Sequence, residues 1–203
     1  MTKIKLCGMV NLCDIDYVNE LMPDFVGFVF APKSRRCVTP ERAEMLSNKL
    51  NGCITPVGVF VDETVENIAY LVNHSIIRAV QLHGSEDNDY ISALRSKIHC
   101  PVLQAFSIKS KLDIAQAVNS KADYILLDSG GGSGKTFNHS LISGIKRDFF
   151  LAGGLDSENV YEAVLKYKPY AVDASSSLEI NGEKDKNKMK AFVRAVRSGG
   201  KEK

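Results

Sequence analysis

Three residues able to move protons stand at the ends of short apolar runs. Cys7 closes IKLC (4–7), Asp128 follows YILL (124–127), and Asp173 lies within AVDAS (171–175). A thiol acts as a base once it is partly deprotonated. A carboxyl acts as an acid near neutral pH only if burial or a neighbouring negative charge raises its pKa. Arg36 ends the basic run KSRR (33–36), and its planar fork can hold both oxygens of a carboxylate. His83 sits in QLHG (81–84), two residues from Gln81. Small residues cluster in three places: Gly132 and Gly134 within SGGGSGKT (129–136), Gly153 and Gly154 in LAGGLD, and Ser175 and Ser176 in ASSSLE. Loops of this kind can present backbone N–H groups to an anion.

The Gly134-Lys135-Thr136 triplet invites comparison with a nucleotide-binding phosphate loop, which reads Gly, four residues, Gly-Lys-Ser/Thr. Counting back from Gly134 puts Ser129 where the first glycine belongs, and Asp128 would oppose a triphosphate. A glycine-hinged lid over a site fits these residues better than an NTPase loop.

These residues need a scaffold. Eight short runs rich in β-branched and aromatic residues recur along the chain, at 4–7, 25–30, 56–61, 77–82, 101–106, 124–127, 149–152 and 171–175. Helical spacing lies between them: Val65, Ile68, Ala69 and Val72; Tyr90, Ile91, Leu94 and Ile98; Val160, Ala163, Val164 and Tyr167. Thr39-Pro40-Glu41 and Asp156-Ser157-Glu158 read as capped helix starts. The fifth helix, in SKLDIAQAVNS, is expected to be short or irregular. Strands alternating with helices imply parallel βαβ units, and eight near-equal units favour a closed (βα)8 TIM barrel over an open sheet. No linker divides the chain, so residues 1–203 read as one domain with a tail frayed from about 198. In such a barrel, chemistry gathers at the C-terminal ends of the strands and phosphate sits after strands seven and eight. That places Gly153, Gly154, Ser175 and Ser176 where a phosphate would be held.

Composition narrows the class. The 203 residues carry 26 Lys and Arg against 24 Asp and Glu, a net charge of +2, which gives no footprint for nucleic acid or a membrane surface. No apolar stretch is long enough to span a bilayer, and the N-terminus lacks a signal-peptide pattern. A cytoplasmic protein is expected, with its five scattered cysteines as free thiols.

KLCGM, GFVFAPKSRR, VGVFVDE, VQLHGSE, LLDSGGGSGKTF, LAGGLDSENV and VDASSSLEINGEKD together span nearly the whole chain. In this order they resemble the phosphoribosylanthranilate isomerase family. The resemblance implies a barrel enzyme of tryptophan biosynthesis that uses no cofactor and no metal and takes a small phosphosugar substrate. It would convert N-(5-phosphoribosyl)anthranilate into 1-(2-carboxyphenylamino)-1-deoxyribulose 5-phosphate by an Amadori rearrangement. It further implies Cys7 as general base, Asp128 as general acid, and Arg36, His83 and Asp173 as substrate-binding residues. Gly132, Gly134, Gly153, Gly154, Ser175 and Ser176 would bind phosphate.

Three positions depart from the family pattern: Val10 stands for Thr, Asn138-His139 for Asp-Trp, and Ser177 for Gly. If position 177 requires a positive φ, a serine there is strained by about 1 kcal/mol or more. Other readings stay open on the residues alone. A cysteine ending a strand is most often a small core residue, Asp128 can cap a loop, and Arg36 and His83 can be solvated rim residues. A pentose-phosphate epimerase would share the phosphate loops but usually needs metal-binding His and Asp pairs, which the four histidines are poorly placed to supply. A non-catalytic phosphate binder is the third reading.

Overall fold

A computed structural model of the chain describes residues 1–128, 142 and 145–199. Eight parallel strands close into a barrel in chain order: β1 Lys3–Cys7, β2 Phe25–Val29, β3 Thr55–Phe60, β4 Ala79–Leu82, β5 Val102–Ser107, β6 Tyr124–Asp128, β7 Phe149–Leu151 and β8 Ala171–Ala174. Pairing of β1 with β8 closes the ring. The closed (βα)8 architecture expected from the eight apolar runs is therefore present, with strand bounds within about two residues of those runs.

Among the described residues, the α-helices are α1 Leu12–Leu21, α2 Pro40–Lys49, α3 Val65–Asn73, α4 Asn88–Arg95, α5 Lys111–Val118, α6 Val160–Tyr167 and α7 Lys186–Gly199. Local chemistry sets their starts. Thr39 accepts the Arg42 N–H, with Pro40 in the first turn, an arrangement that contributes about 1 kcal/mol. The fifth helix is short but regular. Ser110 and Asp113 form a reciprocal capping box at its start, with the Asp113 carboxylate accepting the Ser110 N–H at 2.7 Å. The sixth helix differs from expectation. It begins at Val160 rather than beside Asp156, because the Asp156 carboxylate accepts the Glu158 and Asn159 N–H groups and holds residues 157–159 in a preceding turn. Helix α7 continues through Ser198 and Gly199, where the tail was expected to fray, and Gly199 is buried.

Strand alternation sorts the buried side chains into two bodies. Ile4, Leu6, Val26, Phe28, Ile125, Leu127, Leu151 and Val172 face outward and pack under Ile15, Leu46, Ile68, Leu94, Val160 and Phe192 of the helices. Leu103, Leu126, Phe150, Ala152 and Ala171 face inward. At the N-terminal end of the ring, Phe25, Tyr124, Phe150 and Tyr170 form an aromatic plug. Phe25 and Phe150 lie 5.4 Å apart between ring centres, Tyr124 and Tyr170 4.7 Å. The foot of the barrel is thus filled, and the Lys3 ammonium lies 5.5 and 5.2 Å from the Phe25 and Tyr170 ring centres.

One element was not expected. After β8, a 3₁₀ turn at Ser176–Leu178 leads into a small antiparallel hairpin, β9 Glu179–Ile180 with β10 Glu183–Lys184. Among the described residues, no helix is long and apolar enough to cross a membrane.

Candidate active site

Cys7 is the last residue of β1 and points into the barrel with Lys5, two residues before it. Cys7 is 7% exposed and Lys5 fully buried. Room for the thiol is made by Gly27, its register partner on β2, where an added Cβ would lie 2.5 Å from Cys7 Sγ. Lys5 Nζ donates to Asp173 Oδ1 on β8 at 3.0 Å. Burial pushes the Asp173 carboxyl up and Asp128 adds to that push; Lys5 and His83 oppose it without cancelling it. Burial likewise pushes the Cys7 thiol up, more strongly than Lys5 and Lys184 pull it down. Cationic neighbours that favour the thiolate are present, but desolvation outweighs them. Lys5 behaves the other way: burial draws its ammonium down, yet Asp173 and Cys7 more than compensate and hold it protonated.

Asp128 ends β6, in register with Ser107 and on the same inward-facing parity as Leu126. It lines a cavity of about 110 Å³ together with Gly153, Gly154, Asp173, Ser175, Ser176 and Ser177. Six positions expected to act together therefore do meet: Asp128, Asp173, Gly153, Gly154, Ser175 and Ser176. Gly153 and Gly154 take φ values of 88° and 66°, a left-handed region open to glycine at little cost. Ser176 and Ser177 start the 3₁₀ turn, so their N–H groups have no acceptor within it. Ser175 Oγ donates to the Cys7 carbonyl at 3.0 Å, joining this loop to β1. Gly132, Gly134 and the whole proposed lid lie outside the described residues.

Ser177 has no positive φ, so the strain that a serine would suffer there does not arise. Its hydroxyl instead donates to the Leu155 carbonyl at 2.6 Å, tying the β8 loop to the β7 loop. Val10 offers its N–H to Asp14 at 2.8 Å and its carbonyl to Arg42 at 3.0 Å; these are backbone contacts indifferent to a missing hydroxyl. Asn138 lies outside the described residues.

Arg36 lines a second cavity with Gly8, Glu179 and Lys184, of about 280 Å³. Its stem crosses the end of β1 because Gly8, at φ 82°, has no Cβ to overlap it. Arg36 Nε and Nη2 donate to the two Glu179 oxygens at 2.6 and 2.9 Å, Arg35 Nη2 donates at 2.5 Å, and Lys184 Nζ at 2.8 Å. Lys184 also donates to the Ser175 carbonyl at 2.9 Å. Burial alone would push the Glu179 carboxyl up, but hydrogen bonds from Arg36 and Lys184 with their positive charge bring it below the usual carboxylate range. This carboxylate with three cations escaped the sequence reading. Its only signal was charge alternation in SSLEINGEKDK, which is ordinary on a solvated surface.

His83 stands exposed on the β4 rim and lines neither cavity. Its Nδ1 lies 2.9 Å from Gln81 Nε2. Lys5 was also missed. A lysine is presumed exposed until strand alternation is applied from Cys7, and its spacing of two is the signal that would have found it.

A family model described as N-(5'phosphoribosyl)anthranilate (PRA) isomerase matches residues 4–195. An N-(5'-phosphoribosyl)anthranilate isomerase of Endomicrobium trichonymphae is 42% identical over 203 residues, covering 98% of this chain and 100% of that protein. Its counterpart from Caldanaerobacter subterraneus is 41% identical, covering 97% and 98%. The crystal structure of phosphoribosyl anthranilate isomerase from Thermotoga maritima superposes with a TM-score of 0.91 at 38% identity, covering 98% of this chain and 100% of that one. Another crystal structure of such an enzyme, in complex with reduced 1-(o-carboxyphenylamino)-1-deoxyribulose 5-phosphate, gives 0.88 at 36% identity, covering 98% and 100%.

Proposed function

This chain belongs to the N-(5'-phosphoribosyl)anthranilate isomerase family, and from that membership we infer that it rearranges N-(5'-phosphoribosyl)anthranilate to 1-(o-carboxyphenylamino)-1-deoxyribulose 5-phosphate in tryptophan biosynthesis. We propose that Asp128 is the general acid and Cys7 the general base. Asp128 gives its proton to the ring oxygen as the C1–O bond breaks, and that bond's electron pair stays on oxygen. The anthranilate nitrogen supplies the pair that makes a C1=N iminium. Cys7, as thiolate, takes the proton from C2; the C–H pair becomes C1=C2 and the C=N pair returns to nitrogen. The enol then tautomerises to the ketone, C1 gaining the proton that the C2 hydroxyl loses. Proton exchange through solvent restores Cys7 and Asp128, so the net change is an isomerisation.

This reading is supported above all by one cavity that holds Asp128 and Asp173 beside the β7 and β8 loops. Phosphate bound by Gly153, Gly154, Ser175 and Ser176 would set the sugar within reach of both proton-transfer groups. Arg36 would take the anthranilate carboxylate on the Nη1–Nη2 edge of its fork, because the Nε–Nη2 edge is bound to Glu179. His83 would approach from the opposite rim.

The test is direct. Loss of the substrate's anthranilate fluorescence is followed with the intact chain, Cys7→Ser and Asp128→Asn. Each variant should lose at least about a thousandfold in kcat with binding nearly intact, which corresponds to ~4 kcal/mol of transition-state stabilisation. Full turnover by either would remove that residue from its role.

A further inference from the structure

Lys5 is a buried cation that the acid–base scheme does not use. It projects from the same strand and to the same side as Cys7, its side chain is fully excluded from solvent, and it forms an ion pair with Asp173 at 3.0 Å. A buried ammonium is costly unless it is matched by negative charge. Asp173 supplies one negative charge, and a Cys7 thiolate would be the second negative group within its reach. We propose that Lys5 is a positioning residue for the proton abstraction, its ammonium being the counter-ion against which the Cys7 thiolate forms. The proposal rests on the reading of Cys7 as the base.

Other charges also face Cys7. Asp173 from β8 opposes the thiolate directly, and Asp128 from β6 reaches it through Asp173. Lys184 from β10 favours the thiolate, but its Nζ is bound to Glu179 at 2.8 Å. Arg36 is likewise committed to Glu179. His83 faces Asp173 from β4. Among the described residues, Lys5 is therefore the cation whose charge is shared between Asp173 and the thiol. Asp173 holds the ammonium in place and at the same time competes with the thiolate for it. The proton removed from C2 ends on sulfur, and the ammonium then returns wholly to Asp173.

The competition gives the two partners opposite effects on one measurable titration. In the full chain with Cys13, Cys37, Cys53 and Cys100 replaced by serine, the ultraviolet absorbance of the Cys7 thiolate is followed against pH without substrate. Lys5→Met should move the titration to higher pH, lowering the thiolate fraction at a given pH by about tenfold or more. Asp173→Asn should move it to lower pH. A purely structural role for Lys5 predicts the reverse for Lys5→Met, since loosening the barrel admits water and lowers the titration. An unchanged or lowered titration in Lys5→Met overturns the proposal. If Lys5→Met alone does not fold, the double variant Lys5→Met/Asp173→Asn, which leaves no unpaired charge, is compared with Asp173→Asn. The double variant should titrate higher, and equal titrations overturn the proposal. Because no turnover is measured, failure of Cys7 as the base shows separately, in the activity of Cys7→Ser.

Discussion

Gly27→Ala would add a single methyl group in the narrowest space of the site. The added carbon would sit 2.5 Å from Cys7 Sγ and 3.2 Å from Cys7 Cα and Cβ. Ordinary contacts are about 3.5–4.0 Å, so the sulfur must yield by roughly 1 Å. The backbone cannot yield freely, because Gly27 and Cys7 are register partners and the Gly8 and Met9 N–H groups both donate to the Gly27 carbonyl. Overpacking of this kind costs about 1–3 kcal/mol of stability, or a few degrees of Tm per kcal/mol at this chain length. A reacting group displaced by about 1 Å can cost on the order of a hundredfold in rate, equivalent to ~2.7 kcal/mol. Gly58→Ala is the control. Its Cβ would lie 2.6–2.7 Å from Ile77 and Phe60 side-chain atoms, on the helix-facing side of β3. Denaturant unfolding and kcat/KM are measured on both variants. Both should be destabilised, but only Gly27→Ala should lose about two orders of magnitude in kcat/KM beyond its stability loss. Equal activity losses, or a fully active Gly27→Ala, would refute the claim that the thiol must sit where this glycine lets it.

Arg36→Ala should mainly raise KM, by about 10- to 150-fold, as loss of a charged hydrogen bond of roughly 1.5–3 kcal/mol implies; steady-state kinetics check it. Glu179→Gln should cost about 3–5 kcal/mol in unfolding free energy, because Lys184 and Arg36 lose a buried partner. The same carboxylate gives a pH signature. Its folded pKa lies below the ordinary value of 4.5, so its contribution is complete above that value and fades as pH falls through the folded pKa. Stability measured against pH should show less of that acid-side loss in Glu179→Gln. Ser177→Ala should lose about 1 kcal/mol with the Leu155 hydrogen bond, and phosphate release from the loosened β7–β8 loops should show as a higher KM.

Much of the scaffold was legible because parallel strands buried on both faces read as short apolar runs, and each of the eight runs falls on a barrel strand. Helix starts were legible where the cap is local, as at Thr39. They were not where a carboxylate holds a turn before the helix, as Asp156 does. The hairpin at Glu179–Lys184 escaped because each strand has only two residues, too few for alternation to register. Strand ends pointed to Cys7, Asp128 and Asp173, and to the glycine and serine loops, through a rule of position that needs no contact map. Lys5 and Glu179 were hidden for a common reason. Each is charged and buried, and its burial depends on partners from other strands or loops.

The aromatic plug has a kinetic consequence. With Phe25, Tyr124, Phe150 and Tyr170 stopping the lower end, the described residues leave the upper rim as the doorway of the well. Reactant must enter, and ketone must leave, past the same rim. Neither can follow the other through, so accumulating product should act as a competitive inhibitor and slow its own formation.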